Sequence, residues 1–384
     1  MKRPLLALMV LLLMLAGCSS QPQIEQDGSL DFQKNFHNGN TGSYSACESK
    51  TGYYFLVDNF LHYMEKKTGK TTIACSKLNC THSTPDCDAY INSNDIAYYN
   101  GKLYYAEISG GSGTLYSADL DGTNRHKMIS LGSTASGDTP YILHRGYVYY
   151  VNNTNLMKYQ LSKSGSKEEH VHTFPNISGA DYKLWGDENF VYIDTEAKDY
   201  QEVVYRYDIE RGGCKLVWSV PSVNVVGNWE SAGIGANGLY VSDGIIYYYL
   251  SGNGVWKYDI GSGKNTRLFR INDKEKRGIA CFDAHYIYIN NAAALTEEVP
   301  TSLFTLYVYN YQGKEVNKIP YGQFYSEHDL QSFDVLGTTD SGFFCQGVTS
   351  KTINYDFGDM QLTMPKLEVY YIQTKNSQTI RQIL

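Results

Sequence analysis

Tyrosine occupies 35 of the 384 positions, and most of these tyrosines recur in two short phrases about every 41 to 57 residues. The first phrase is a turn followed by an apolar and aromatic run, as in residues 101–105 (GKLYY) and 244–248 (GIIYY). The second phrase alternates in polarity and ends in a turn, as in residues 115–122 (LYSADLDG). Such phrases predict β-strands, and their regular return predicts structural units repeated around an axis.

Seven units emerge when the two phrases are aligned along the chain. They cover residues 53–64, 103–120, 147–161, 190–209, 245–260, 286–309 and 342–372. A further strand follows the second phrase, so two hairpins per unit would make one four-stranded blade. The prediction is an all-β fold, a β-propeller of seven blades. Six or eight blades stay open as alternatives, because the first and last units are the weakest repeats.

The first seventeen residues read as a targeting segment. Lys2 and Arg3 precede an uncharged apolar run over residues 5–17, which is too short to span the roughly 30 Å bilayer core as a helix. The run ends in residues 15–18 (LAGC), which resemble the lipobox of bacterial lipoproteins. That resemblance implies cleavage before Cys18, diacylation of Cys18 with acyl chains such as palmitate, and a lipid anchor facing the extracytoplasmic side of the cell membrane.

Three segments follow from this interpretation. Residues 1–17 are expected to be the signal peptide and residues 18–36 a flexible polar tether. Residues 37–384 would form the β-propeller domain, with a Cys- and His-bearing insertion at residues 75–87.

The repeat around residues 115–124 (LYSADLDGTN) resembles that of TolB-like β-propellers. It is especially similar to bacterial propeller domains, of a Firmicutes-type family, that are labelled after the low-density-lipoprotein-receptor-related propeller. The resemblance covers about residues 50–384 and is clearest in units two, five and six. It implies a propeller fold and an extracytoplasmic binding role, and it carries no catalytic set to transfer to this chain.

Charge argues against a nucleic-acid partner. The chain has 33 Lys and Arg against 40 Asp and Glu, and losing Lys2 and Arg3 with the signal would make the net charge of −7 still more negative. No block of basic residues stands out, so we expect no nucleic-acid binding. A propeller is one closed unit, and we expect a monomer.

A cysteine cluster lies between units one and two. Cys75, Cys80, His82 and Cys87 supply three thiolates and one imidazole, which is a complete tetrahedral set for one structural Zn²⁺. The segment also resembles an insertion that recurs in the same class of propeller lipoproteins. Disulfides are the alternative, since an exported chain meets oxidising conditions and Cys47 would make the thiol count even.

No catalytic residue can be assigned from the sequence. Asp119, Asp208 and Asp259 stand at equivalent positions before turns, where we expect them to accept local hydrogen bonds rather than to catalyse. His170 and His172 are expected to lie on a solvated strand edge rather than to bind a metal.

The expected function is that of a surface-anchored propeller that binds or scaffolds an extracytoplasmic protein, peptide or glycan without catalysis. The alternative is a propeller enzyme acting on carbohydrates, a hydrolase or a lyase. Its active site would then involve two long insertions at residues 291–302 and 350–365, because long loops often carry function.

Overall fold

Antiparallel β-sheets of four strands account for nearly all of the regular structure. The computed structural model describes residues 45–133, 141–161, 166–199, 201–221, 239–250, 254–271, 280–282, 285–291, 300–339, 342–356, 361–373 and 379–384. The signal segment, the tether and Cys18 lie outside these residues, and the predicted domain bounds therefore stay a prediction. No helix among the described residues is long and apolar enough to cross a membrane.

Each sheet consists of four strands that follow one another directly in the chain. The first three sheets contain β1 (Ala46–Glu48), β2 (Gly52–Val57), β3 (Phe60–Glu65), β4 (Thr71–Ile73), β5 (Ala97–Tyr99), β6 (Lys102–Ser109), β7 (Ser112–Ala118), β8 (His126–Ser133), β9 (Tyr141–His144), β10 (Tyr147–Asn152), β11 (Asn155–Gln160) and β12 (Glu169–Thr173). The fourth and fifth contain β13 (Ile177–Asp187), β14 (Phe190–Ala197), β15 (Gln201–Asp208), β16 (Cys214–Pro221), β17 (Leu239–Ser242), β18 (Ile245–Leu250), β19 (Gly254–Asp259) and β20 (Lys264–Phe269). The last two contain β21 (Ala280–Phe282), β22 (Ile287–Asn290), β23 (Thr305–Tyr309), β24 (Glu315–Pro320), β25 (Leu330–Thr339), β26 (Gly342–Asp356), β27 (Gln361–Gln373) and β28 (Thr379–Gln382).

The seven sheets are the blades of a β-propeller, which confirms the predicted fold class and blade count. First strands of neighbouring blades touch, as in β1 with β5, β9 with β13, and β25 with β1. These strands therefore surround the central axis. The two phrases of every sequence unit correspond to the second and third strands of a blade.

Burial differs from strand to strand within a blade. The second strand is covered on both sides: all six residues of β2 are buried, and so are the four central residues of β10. The third strand alternates more, as in β7, and the fourth is largely exposed, as in β12. The second strand consequently reads as a continuous apolar run, since both of its faces pack on neighbouring blades.

Aromatic packing joins the last blade to the first. Phe344 of β26 is fully buried, and its ring centroid lies 5.2 Å from that of Tyr53 and 5.3 Å from that of Phe55 in β2. The Arg381 guanidinium of β28 also reaches the Met64 sulfur of β3, at 3.6 Å. Among the described residues no strand of one blade is borrowed by the other, so side chains close this seam.

Two predicted loops of blades six and seven have regular structure in their described parts. Thr301–Leu303 forms a 3₁₀ helix between β22 and β23, and the link into blade seven contains the helix α1 (Gly322–Glu327). Within residues 350–365, β26 and β27 continue as a paired ribbon from Thr352↔Pro365 to Asp356↔Gln361. The insertion is thus a lengthened hairpin rather than a loop without secondary structure, because its strands keep pairing beyond the blade.

Candidate metal centre

The cysteine loop is an excursion from the outer edge of blade one. The Ala74 N–H donates to the Leu61 carbonyl at 2.9 Å, and the Leu61 N–H donates to the Ala89 carbonyl at 2.8 Å. Both ends of residues 75–88 therefore meet at a single residue of β3. The chain leaves the fourth strand after Ala74 and returns to the same edge at Ala89, which makes the excursion a closed loop.

Four side chains of this loop converge. The ligand atoms of Cys75, Cys80, His82 and Cys87 all lie within 4.8 Å of one another, and His82 Nδ1 is 3.4 Å from Cys87 Sγ. Cys87 is buried and the other three are partly buried. The structure thus brings together the four residues predicted from the sequence, and they could hold a metal ion.

Backbone conformation bends the loop around the cluster. Asn79 and His82 have positive φ angles of 59° and 53°, in the left-handed region. Asn and His both occur in this region more often than most residues with a side chain. The two bends lie on either side of Cys80 and let its thiol and the His82 ring turn toward Cys75 and Cys87.

The thiols of the cluster differ in how readily they ionise. Burial raises the pKa of Cys87 to about 12. Burial also opposes ionisation of Cys75, but hydrogen bonds from the Lys77 backbone and the Cys87 thiol outweigh it and lower the Cys75 pKa. A bound cation would favour the charged form of each thiol.

Cys47 is the fourth cysteine of the disulfide alternative. It is in β1, the innermost strand of blade one, whereas the cluster follows β4, the outermost strand. The alternative of disulfides that include Cys47 stays a prediction. The thiols of Cys47, Cys75, Cys80 and Cys87 are all free in the structure.

The cysteine loop also contacts blade two. Arg125 Nη2 donates to the Asp88 carbonyl at 2.5 Å, and Arg125 Nε donates to the Gly122 carbonyl at 2.9 Å. Hydroxyls of Thr123 and Ser76 donate to Asp121 and lower its pKa. The loop is thus attached to blade one at its base and to the β7–β8 turn of blade two at Ser76 and Asp88. The contacts that Asp121 and Arg125 make with the cysteine loop were not predicted from the sequence. Nothing in the β7–β8 turn indicates that it has a partner far away in the chain.

The remaining predicted polar residues have local roles. Asp208 accepts from the Arg211 N–H at 2.9 Å and Asp259 from the Ser262 N–H at 2.8 Å, which confirms the turn role expected for them. Asp119 instead accepts from two side chains, Lys102 Nζ at 2.8 Å and Asn124 Nδ2 at 2.6 Å.

The histidine pair of β12 shows no metal-binding arrangement. His170 Nε2 lies 2.8 Å from the hydroxyl of Thr173, and the His172 ring packs edge-on against Phe174. Burial and the nearby His170 lower the His172 pKa. Within the part of the chain that the structure describes, the cysteine loop is the one place where three or more His, Cys, Asp or Glu side chains could share a metal.

Comparison with solved structures shows the fold. A prolyl endopeptidase is 10% identical, with a TM-score of 0.51 over 92% of this chain and 50% of that chain. A protein from Lactobacillus plantarum is 15% identical, with a TM-score of 0.46 over 89% of this chain and 94% of that chain. Oligogalacturonate lyase from Vibrio parahaemolyticus is 13% identical, with a TM-score of 0.43 over 73% of this chain and 74% of that chain.

These similarities extend to architecture and no further. This chain spans about half the length of the prolyl endopeptidase that it resembles. No family model matches the chain, and no curated protein sequence matches it.

Replacing Gly122 with alanine should loosen the loop from blade two. A Cβ at Gly122 would lie 2.0 Å from the Asp88 carbonyl oxygen, so the loop backbone would have to shift. Gly212→Ala is the matched control, because Gly212 has a similar positive φ of 71° but no heavy atom within 4 Å of its Cβ position. We expect Gly122→Ala to lower the free energy of unfolding by about 1–3 kcal/mol more than Gly212→Ala, measured by urea denaturation. Equal losses would show that the loop does not pack against this turn.

Proposed function

We propose that this protein is a lipoprotein, anchored through Cys18 at the extracytoplasmic side of the cell membrane, whose propeller binds a protein, peptide or glycan partner without catalysis. The observation that carries the binding role is the position of the insertions. In an antiparallel blade, the turn between strands two and three and the link to the next blade lie at the same end. The 3₁₀ helix, α1 and the β26–β27 ribbon therefore occupy one face of the ring.

Contacts among these insertions support a shaped surface. The ring of Phe304 lies 5.7 Å from that of Tyr321 and 5.2 Å from that of Tyr325, which joins the 3₁₀ helix to α1. The Asn291 side chain fixes the ends of its insertion, accepting from the Thr305 N–H at 2.6 Å and donating to the Leu303 carbonyl at 2.8 Å. Binding sites are commonly built from such segments on a rigid scaffold.

For the cysteine cluster we propose one structural zinc ion. Three thiolates and an imidazole fill all four positions of a tetrahedral site, which would leave no position for a substrate. Zinc would cross-link the loop of residues 75–88, which has few apolar side chains that could stabilise it by packing. The loop would then stiffen the junction between blades one and two, since it touches both.

The zinc proposal predicts the metal content of the lipid-free protein. We expect about one equivalent of zinc by mass spectrometry, because the four ligands form a closed set. Cys80→Ser should lose most of it, whereas Cys214→Ser, outside the loop, should retain it. Zinc below roughly a tenth of an equivalent, together with loss of free thiols in the loop, would instead establish disulfides.

The anchor proposal predicts where the protein fractionates. Cys18→Ala should move the exported protein from the membrane fraction to the soluble fraction, because no acyl chain could then be attached. Ser19→Ala, next to the acylated position, should leave it in the membrane fraction. Retention of an efficiently exported Cys18→Ala protein in the membrane fraction would contradict the anchor.

The binding proposal predicts hits on protein, peptide or glycan arrays that depend on the ribbon. We expect the Cys18→Ala protein to bind an array component. Shortening the ribbon to a tight turn between Thr352 and Pro365 should weaken that binding at least tenfold, a cost of about 1.4 kcal/mol. Leu216→Ala, at an exposed position of blade four, should not change it. Absence of any hit, or turnover of the bound component, would contradict a non-catalytic binding role.

A further inference from the structure

A histidine beside a buried carboxylate lies where α1 meets blade seven. His328 follows α1, and its Nδ1 is 3.2 Å from the Tyr370 hydroxyl and 3.5 Å from Glu368 Oε2. Glu368 is almost fully buried, and its Oε1 also accepts from Lys366 Nζ at 2.8 Å. The Tyr370 ring belongs to the core of blade seven, whereas the polar atoms of the cluster take no part in the metal centre.

Hydrogen bonding within the cluster determines which nitrogen of His328 carries the proton. The Tyr370 hydroxyl donates its single proton to Glu368 Oε2. Its oxygen can then only accept, so the nearby Nδ1 of His328 must be the donor. In a neutral imidazole the other nitrogen, Nε2, is then an acceptor.

The accepting nitrogen has no partner in the described part of the chain. Every hydrogen bond of the His328 ring there is made through Nδ1, and 29% of the side chain is open to solvent, against 6% for Glu368. The Phe324 ring lies against the imidazole, with the two ring centroids 4.4 Å apart. An acceptor held in a fixed orientation beside an aromatic ring offers one ligand both a polar and an apolar contact.

Charge at this corner disfavours an anionic ligand. The positive Lys366 is paired with Glu368, and the Asp329 carboxylate accepts from the Ser350 hydroxyl. Glu327 accepts from the Gln323 amide. No uncompensated positive charge is present among these groups to attract an anion, whereas Nε2 requires an O–H or N–H donor.

We propose that His328 is the hydrogen-bond acceptor of a saccharide-binding site, in which a sugar hydroxyl donates to Nε2 and the sugar lies beside Phe324. Glu368 and Tyr370 are positioning residues, because they hold the imidazole in the tautomer that accepts. The site lies among the insertions of blades six and seven. This inference rests on the proposed binding function and names the ligand class for its surface.

Neutral oligosaccharides test the site. Cellohexaose, xylohexaose, maltohexaose and chitohexaose are titrated into the lipid-free full chain, with calorimetry and the imidazole ¹⁵N resonances of His328 as readouts. We expect at least one of them to bind and to shift Nε2. Before addition, the resonances should show a protonated Nδ1 and an unprotonated Nε2.

Variants at His328 separate recognition from folding. His328→Asn places an amide donor at the position of Nδ1 and removes the Nε2 acceptor, so affinity should fall about tenfold while the fold is kept. His328→Gln places an amide near the position of Nε2 and should restore part of the affinity. His126→Asn, at an exposed histidine of blade two, should bind like the unchanged protein.

Failure of this inference is distinguishable from failure of the proposed function. No binding of the four saccharides, a proton on Nε2, or unchanged affinity in His328→Asn would overturn the saccharide site. Ribbon-dependent binding of another array component would then leave the binding role intact. Absence of every array hit would overturn the binding role itself.

Discussion

Packing of one blade against the next is the interaction on which the whole structure depends. The second strand of a blade carries large side chains on both faces, and several of them are almost completely buried, including Phe55, Tyr105, Tyr149 and Tyr192. A four-stranded sheet alone would leave both of these faces in water. Only neighbours on both sides can cover them, so every blade needs two others and the series must close into a ring. Phe344, set against Tyr53 and Phe55, closes it.

That requirement leaves the ends of the blades as the places where the chain can vary. An insertion inside a second or third strand would disturb its packing against both neighbouring blades. Turns and links between strands do not take part in this packing. The β26–β27 ribbon and α1 both extend from blade ends, and the cysteine loop is the link from blade one to blade two. The metal centre therefore lies at the same end of the blades as the insertions, and each of them can change without altering the core.

The metal cluster could be predicted from the sequence because its ligands are close together in the chain. The residues that surround the cluster could not be predicted, because they come from distant segments. Its four ligands fall within thirteen consecutive residues, and a short loop cannot keep them far apart. The contact of Arg125 with Asp88 joins residues that are 37 positions apart, and no pattern in either segment indicates it. Strand order likewise places Cys47 in the innermost strand of blade one, whereas the cluster follows the outermost strand.

The sequence alone indicated a propeller of repeated blades and favoured seven over six or eight, because each blade repeats the same aromatic run and alternating phrase and such a run requires burial on both faces. It also determined the four candidate metal ligands, because they are neighbours in the chain. Tertiary structure decided which segments meet: the seam at Phe344, the attachment of the cysteine loop to blade two, and the approach of His328 to Glu368 and Tyr370. These contacts join residues far apart in the chain, and only the closing of the ring and the docking of α1 on blade seven bring them within bonding distance.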